Sequence, residues 1–199
     1  MKIVETIDVI AKGDVVRSRI WKRACREVCE AIAATDWPIG SGRFHLNPGT
    51  VKHANGVEPI KRPCLQKLSQ LGWQLERLPN ELAGVRMGNL DALLSSKAGL
   101  IGFEWETGNI SSSHRAINKI FHAMLKGGLL GGILVVPSHA MRPFITDRVG
   151  NITELREYFA VWQAIAFERG AFRIIVVEHD ALDSTAPRIP KGTDGRANG

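Results

Sequence analysis

Three carboxylates near the middle of the chain have types and spacing suited to metal-dependent chemistry. Glu104 and Glu106 stand two positions apart in a short apolar run that we predict to be a strand ending near Thr107. Alternate side chains of a strand share a face, so these two acids point the same way. Asp91 lies on an earlier apolar segment, and a hairpin through residues 95–99 would bring the three acids together. Such acids repel unless protons or a cation share the site, and a hard divalent cation such as magnesium prefers oxygen ligands.

The segment after these acids decides between two interpretations. Two glutamates at alternate positions usually lie on the solvent-exposed face of an amphipathic strand. Here, however, Gly108 and the serines from Ser111 to Ser113 open a predicted helix. A helix start of this kind leaves free backbone N–H groups beside the acids, which is a phosphate-binding arrangement. Acids for metal beside amides for phosphate indicate phosphodiester chemistry.

Composition favours an anionic partner. The chain has 199 residues, a formal net charge of +6 and a pI of about 9.5. Nucleic acid is the commonest partner of such a chain, although a merely basic soluble protein has the same charge. The three cysteines lack CxxC spacing, which argues against a disulfide framework or a zinc site. We find no secretory signal at the start and no apolar run of the roughly 20 residues that span a membrane. We therefore expect a cytoplasmic protein with no membrane partner.

Helical and strand patterns alternate along the chain. A helix capped by Asp14 is expected to about Ala34, and a loop over 35–57 follows. The further predicted elements are a helix over 58–71, a strand over 73–78, a helix from Ser111 to about Lys126, buried strands over 133–136 and 172–177, and a helix from Thr153 to about Arg169. This order predicts one α/β domain over 1–199 with a central mixed β-sheet flanked by helices.

The tail from Asp180 is rich in proline, glycine and basic residues. We predict a flexible basic arm over 180–199. It either touches DNA or is simply a frayed end.

The constellation resembles the BamHI-type restriction endonucleases, a branch of the PD-(D/E)xK nuclease fold. The matching residues are Asp91, Glu104-Trp105-Glu106, Asn109, Ser111, Arg115 and Asp147-Arg148. In that family an Asp and a Glu-x-Glu on adjacent strands bind the metals, and the second Glu replaces the usual lysine. The related BglII branch has Gln there, so Glu106 indicates the BamHI type. The resemblance covers residues 61–149, and its joint spacing is more specific than any single element.

The resemblance implies a role for each matched residue. The catalytic set would be Asp91, Glu104 and Glu106, with Glu76 as the candidate fourth acid. Asp91 and Glu104 would bind Mg2+, and Lys61 resembles the family's phosphate-contacting lysine. The DNA-reading residues would be Asn109, Ser111, Arg115, Asp147 and Arg148. Two departures are a shorter gap from Asp91 to Glu104 and a different spacing of Glu76.

The implied activity is Mg2+-dependent hydrolysis of double-stranded DNA at a palindromic site, GGATCC, leaving 5′-phosphate ends. A palindrome calls for a homodimer. Its interface is predicted on the helices from Ser111 and Thr153, which carry the apolar residues Phe121, Met124, Phe159 and Trp162. Two alternatives stay open: a PD-(D/E)xK nuclease that acts in repair or junction resolution, and a non-catalytic DNA-binding module.

Overall fold

The protein is a six-stranded mixed sheet with helices on both faces. The computed structural model describes residues 1–57, 60–82, 84–146 and 148–191. The strands are β1 (Lys2–Lys12), β2 (His45–Leu46), β3 (Gln74–Arg77), β4 (Leu90–Ser96), β5 (Gly99–Trp105), β6 (Gly131–Pro137), β7 (Gly170–Glu178) and β8 (Ala181–Leu182). The helices are α1 (Arg19–Ala33), α2 (Arg62–Gln70), α3 (Ile110–Leu125), α4 (Ile152–Arg156) and α5 (Phe159–Gln163).

The strand order of the large sheet is β1-β7-β6-β5-β4-β3. Strands β5, β6 and β7 run parallel, whereas β3 and β4 form an antiparallel meander with β5 and β1 joins β7 antiparallel at the other edge. Helix α3 connects the parallel pair β5 and β6, as a parallel connection requires. The predicted α/β fold with a central mixed sheet is confirmed.

Side chains of β5 divide between the two faces of the sheet. Phe103 and Trp105 enter the core that β5 shares with α1 and α2. The opposite core is built from α3, α4, α5 and the other faces of β4, β6 and β7. Since side chains alternate along a strand, Glu104 points to the α3 side of the sheet. The predicted alternation therefore places this acid beneath the helix that follows it.

Two helices begin at residues other than the predicted caps. Asp14 forms no side-chain cap, because a single turn at Val15–Arg17 intervenes and Ser18 accepts the Trp21 N–H at the start of α1. The expected helix from Thr153 to Arg169 is two short helices, α4 and α5. Asn151 caps α4 in a capping box with Glu154, and the chain turns between the helices.

The prediction for the second helix is confirmed in position, with α2 over Arg62–Gln70 and Gly72 beyond its end in the left-handed conformation (φ 91°). Glu58 and Pro59, its expected first residues, lie outside the described residues. Strand β1, by contrast, was missed by the sequence patterns.

Residues 180–191 of the predicted flexible arm pack against the rest of the chain. Strand β8 pairs parallel with β2, and Ile189 is 1% exposed. Trp37 Nε1 donates to the Pro187 carbonyl (2.7 Å), and Ile189 N–H donates to Asn55 Oδ1 (3.1 Å). Buried partners distant in sequence therefore hold this segment. The rest of the predicted arm, 192–199, lies outside the described residues.

Across the part of the chain that the structure describes, we find no helix with the length and apolar character that crossing a membrane requires.

Candidate active site

The hairpin of β4 and β5 carries the predicted acids. Its register pairs Ala92 with Phe103 and Ser96 with Gly99, which confirms the predicted turn. Asp91 crosses to the neighbouring strand, where its Oδ2 accepts the Trp105 backbone N–H (2.8 Å). Glu106 follows β5, and its N–H extends the ladder to the Val135 carbonyl of β6 (2.9 Å). Backbone hydrogen bonds thus hold the segments that carry all three acids.

Two of these acids are buried, and each is paired with a lysine. Asp91 is 6% exposed and Glu104 is 2% exposed. Lys61 Nζ, at the start of α2, donates to Asp91 Oδ1 (2.6 Å). Lys119 Nζ, from α3, forms an ion pair with Glu104 Oε1. Buried carboxylates are stable only when their charge is compensated, and these two ammonium groups compensate it.

Lys119 is the residue of the site to which the sequence patterns assigned no role. Besides the pair with Glu104, its Nζ donates to the Asn89 carbonyl just before β4 (2.7 Å). Its contacts depend on how α3 packs across the sheet. One sequence signal could have indicated its place in the site. Lys119 is four residues after Arg115, so the two cations lie on one face of α3.

Burial and mutual repulsion change the ionisation of the acids. Burial raises the pKa of Glu104 to about 7. The charge of Lys119 lowers this pKa, and the charges of Asp91 and Glu106 raise it. Burial, reinforced by Asp91, also raises the pKa of Glu106. Burial alone would lower the pKa of Lys61, but the neighbouring carboxylate of Asp91 raises it. Glu104 and Glu106 therefore favour the protonated form more than an ordinary glutamate does.

The donor set suits a hard divalent cation. Three carboxylates supply only oxygen ligands, and their repulsion is the condition that a divalent cation relieves. Within the described ranges, no group of three acid, histidine or cysteine side chains is arranged to hold a metal ion. Lys61 and Lys119 instead pair with one oxygen each of Asp91 and Glu104.

Glu76 lies at the margin of this site. In the register of β3 and β4 it stands opposite Asp91, since Leu75 pairs with Ala92 and Arg77 with Leu90. The ladder skips Glu76, whose backbone is left-handed (φ 47°), and its side chain is exposed. Strand β3 therefore brings Glu76 alongside the site, outside the buried pair of acids.

The predicted DNA-reading residues gather at the start of α3. Asn109 caps this helix, with Oδ1 accepting the Ser112 N–H (3.0 Å), so the helix starts one residue before the predicted Ser111. Ser111 and Arg115 are exposed on its first turns, and the charge of Arg115 acts on Glu106. Asn109 also bridges to Val149, which places exposed Arg148 beside the helix start. Asp147 lies outside the described residues.

An open cavity of about 680 Å³ lies along α3 and is lined in part by Lys119, the partner of Glu104. Four of its lining residues are basic in type: Arg86, Arg115, Lys119 and His122. Phosphate groups of a nucleic acid are attracted to a surface of this composition. The cavity therefore extends the basic surface from the start of α3 towards the loop before β4.

The known proteins that match the chain in sequence are restriction endonucleases. The family model of restriction endonuclease BamHI matches residues 1–196. The type II restriction enzyme OkrAI of Oceanobacter kriegii is 46% identical over 171 residues, covering 86% of this chain and 87% of that protein. The type II restriction enzyme BamHI of Bacillus amyloliquefaciens is 33% identical over 192 residues, covering 93% and 87%.

Solved structures agree on the fold. The crystal structure of restriction endonuclease BglII complexed with a DNA 16-mer superposes with a TM-score of 0.60 at 12% identity, over 90% of this chain and 79% of that one. Free BglII gives a TM-score of 0.50 at 12% identity, over 90% and 81%. Type II restriction enzymes generally use a divalent metal. From its match along nearly the whole length, the chain belongs to the BamHI family of type II restriction endonucleases, which are site-specific deoxyribonucleases.

Proposed function

We propose that this restriction endonuclease is a homodimer that hydrolyses double-stranded DNA at GGATCC, with Mg2+, leaving 5′-phosphate and 3′-hydroxyl ends. One observation carries the proposal: the Asp91, Glu104 and Glu106 carboxylates adjoin the start of α3, where Asn109 and Arg115 stand at the family's spacing. A site for metal-dependent hydrolysis and a set of base-reading side chains thus occupy one end of the sheet.

Asp91 and Glu104 would hold the metal. Both carboxylates are buried, and each also forms an ion pair with a lysine, Lys61 or Lys119. Bound Mg2+ lowers the pKa of a coordinated water and stabilises negative charge on the scissile phosphate. Lys61, whose Nζ lies 2.6 Å from Asp91 Oδ1, would contribute positive charge beside the phosphate.

Glu106 accepts the proton of the attacking water. Burial and the charge of Asp91 raise its pKa, which makes it a stronger base than an ordinary glutamate. Unlike Asp91 and Glu104, it is only half-buried, so a water molecule can reach it. In-line attack by the water forms a new P–O bond and breaks the bond between the phosphorus and the 3′ oxygen, which takes a proton from solvent water. The products are a 5′ phosphate and a 3′ hydroxyl.

Base contacts in the major groove supply the specificity. Arginine matches the O6 and N7 acceptors of guanine, which suits Arg115 and Arg148 to the G·C pairs. Asn109 and Ser111 would read the inner A·T pair of each half-site. Asp147 would accept from cytosine N4. Two G·C pairs and one A·T pair per half-site agree with GGATCC.

A palindromic target favours a two-fold dimer in which each subunit cuts one strand. Three of the four apolar residues expected at its interface, Phe121, Met124 and Trp162, are buried in the core of their own chain, and Phe159 is half-buried. The exposed apolar residues near these helices are Leu125 (59%), Tyr158 (45%) and Val161 (63%). They provide the apolar area that association of two copies would cover.

The activity is tested with a plasmid that contains one GGATCC site, in Mg2+ and in Ca2+. Wild type and Glu106→Ala are compared with Glu157→Ala, a matched change of an exposed acid after α4. We expect one cut in Mg2+ by wild type and Glu157→Ala, and none by Glu106→Ala. End-labelling of the product reports the 5′ phosphate.

Other results reject parts of the proposal. Cutting at other sequences would refute the target while leaving the nuclease, and cutting at branched DNA alone would favour the repair or junction nuclease. DNA binding that needs no metal, without any cleavage, would favour the non-catalytic module.

The dimer is tested by analytical ultracentrifugation of the paired substitution Leu125→Glu and Val161→Glu. We expect this variant to sediment as a monomer. The control Val51→Glu replaces a valine that is equally exposed (65%) in a loop, and it should remain dimeric. A wild-type monomer in the presence of target DNA would contradict the assembly.

A further inference from the structure

Lys119 is buried further than lysines usually are. Its side chain is 12% exposed, and its Nζ lies between the Glu104 carboxylate and the Asn89 carbonyl. Ordering and desolvating a lysine is unfavourable unless its ammonium is paired, and here one contact is made to β5 and the other to the residue just before β4. Lys119 therefore fastens α3 to the segment before β4 and to β5.

The same helix presents the proposed base-reading side chains. Asn109 caps α3, and Arg115 lies one turn before Lys119 on the same face. Both Arg115 and Lys119 line the open cavity along α3. Helix α3 is continuous over 16 residues, so one rigid element carries Asn109 at its cap, Arg115 and Lys119.

We propose that Lys119 is a positioning residue that couples base reading to cleavage, by tying the position of Glu104 to the seating of α3 on the DNA. This role rests on the proposed function of Glu104 and of the α3 side chains. On the correct sequence, α3 sits fully in the groove and its lysine sets Glu104 where the cation is held. On an altered sequence, α3 sits differently and the carboxylate is displaced with it.

The test uses Lys119→Met, which keeps the aliphatic length and removes the ammonium. Single-turnover cleavage in Mg2+ is measured on a GGATCC duplex and on a duplex with one base pair changed, and DNA binding is measured by anisotropy in Ca2+. The matched control is Lys126→Met, which removes an exposed lysine just beyond the end of α3.

We expect Lys119→Met to bind the GGATCC duplex within about threefold of wild type while cleaving it more slowly. The ratio of cleavage rates on the correct and altered duplexes should fall at least about tenfold, a typical size for coupling between two sites. Lys119→Arg, which can still pair with Glu104, should restore the ratio. Lys126→Met should leave rates and ratio unchanged.

Several results overturn the proposal. If Lys119→Met slows both duplexes by the same factor, the lysine contributes only charge or stability and couples nothing. If Lys119→Met does not fold, Lys119→Gln takes its place, and an unchanged ratio in that variant refutes the coupling equally. A wild-type enzyme that cuts both duplexes at one rate refutes the proposed target and the coupling together. If wild type prefers the GGATCC duplex and the Lys119 variants keep the same ratio of cleavage rates, the coupling alone is refuted.

Discussion

Replacement of Glu104 by glutamine should change how the stability of the metal-free enzyme depends on pH. The pKa of Glu104 is raised from an ordinary 4.5 to about 7, chiefly by burial. Between these values the folded chain keeps a proton that the unfolded chain has released. The free energy of unfolding therefore falls as pH rises from 4.5 to 7, and the loss is complete above 7.

The expected size follows from the two pKa values. Each pKa unit corresponds to about 1.4 kcal/mol, so the ionisation of Glu104 removes about 3 kcal/mol of stability between pH 4.5 and pH 8. Glutamine does not ionise, and Glu104→Gln should lack this component. The slope of the unfolding free energy against pH is compared, because the lost ion pair with Lys119 changes the absolute stability of the variant as well.

The assay is urea denaturation in EDTA at several pH values between 4.5 and 8, for wild type and Glu104→Gln. The exposed acid Glu157 supplies the control Glu157→Gln, whose pH dependence should follow wild type. Identical slopes for wild type and Glu104→Gln would refute the conclusion that burial of this carboxylate destabilises the metal-free fold. As a second measurement, addition of Ca2+ at pH 8 should stabilise wild type more than Glu104→Gln, because the variant lacks one carboxylate ligand.

Further predictions concern capping and close packing. Ser18→Ala should cost about 1 kcal/mol of stability in urea, and Asp14→Ala almost nothing, because Ser18 alone caps α1; the reverse order would refute this assignment. Asn109→Asp should keep the α3 cap and the stability yet weaken binding to GGATCC, because it loses the amide donors, whereas Asn109→Ala should lose about 1 kcal/mol as well. Gly56→Ala should cost about 2 kcal/mol, since a Cβ would lie 1.9 Å from the Pro190 carbonyl oxygen, and unchanged urea denaturation would contradict the packing of residues 180–191.

The sequence predicts features that depend on local patterns. The hairpin of β4 and β5 is an example, because its two apolar runs and short turn suffice to place Asp91 beside Glu104. The start of α3 is another, since Asn109 and the serines after it form a recognisable helix start. Local signals of this kind are strong where neighbouring residues are also the interacting residues.

Contacts between distant segments were not predictable in this way. The composition of the tail suggests mobility, yet Trp37 and Asn55 fix it through hydrogen bonds that cross most of the chain. Lys119 reaches Glu104 only through the packing of α3 on the sheet. The choice of Ser18 over Asp14 depends on the turn between them, since both residue types are good helix caps.

The pairing of β1 with β7 has a consequence for the order of assembly. Lys2 pairs with Glu178, so β1, which is synthesised before β7, cannot pair until β7 has left the ribosome. The hairpin of β4 and β5 needs only neighbouring residues and can form much earlier, whereas closing the long loop between β1 and β7 comes late. Until then, nascent chains carry an unpaired strand of eleven residues, an edge on which incomplete chains can aggregate.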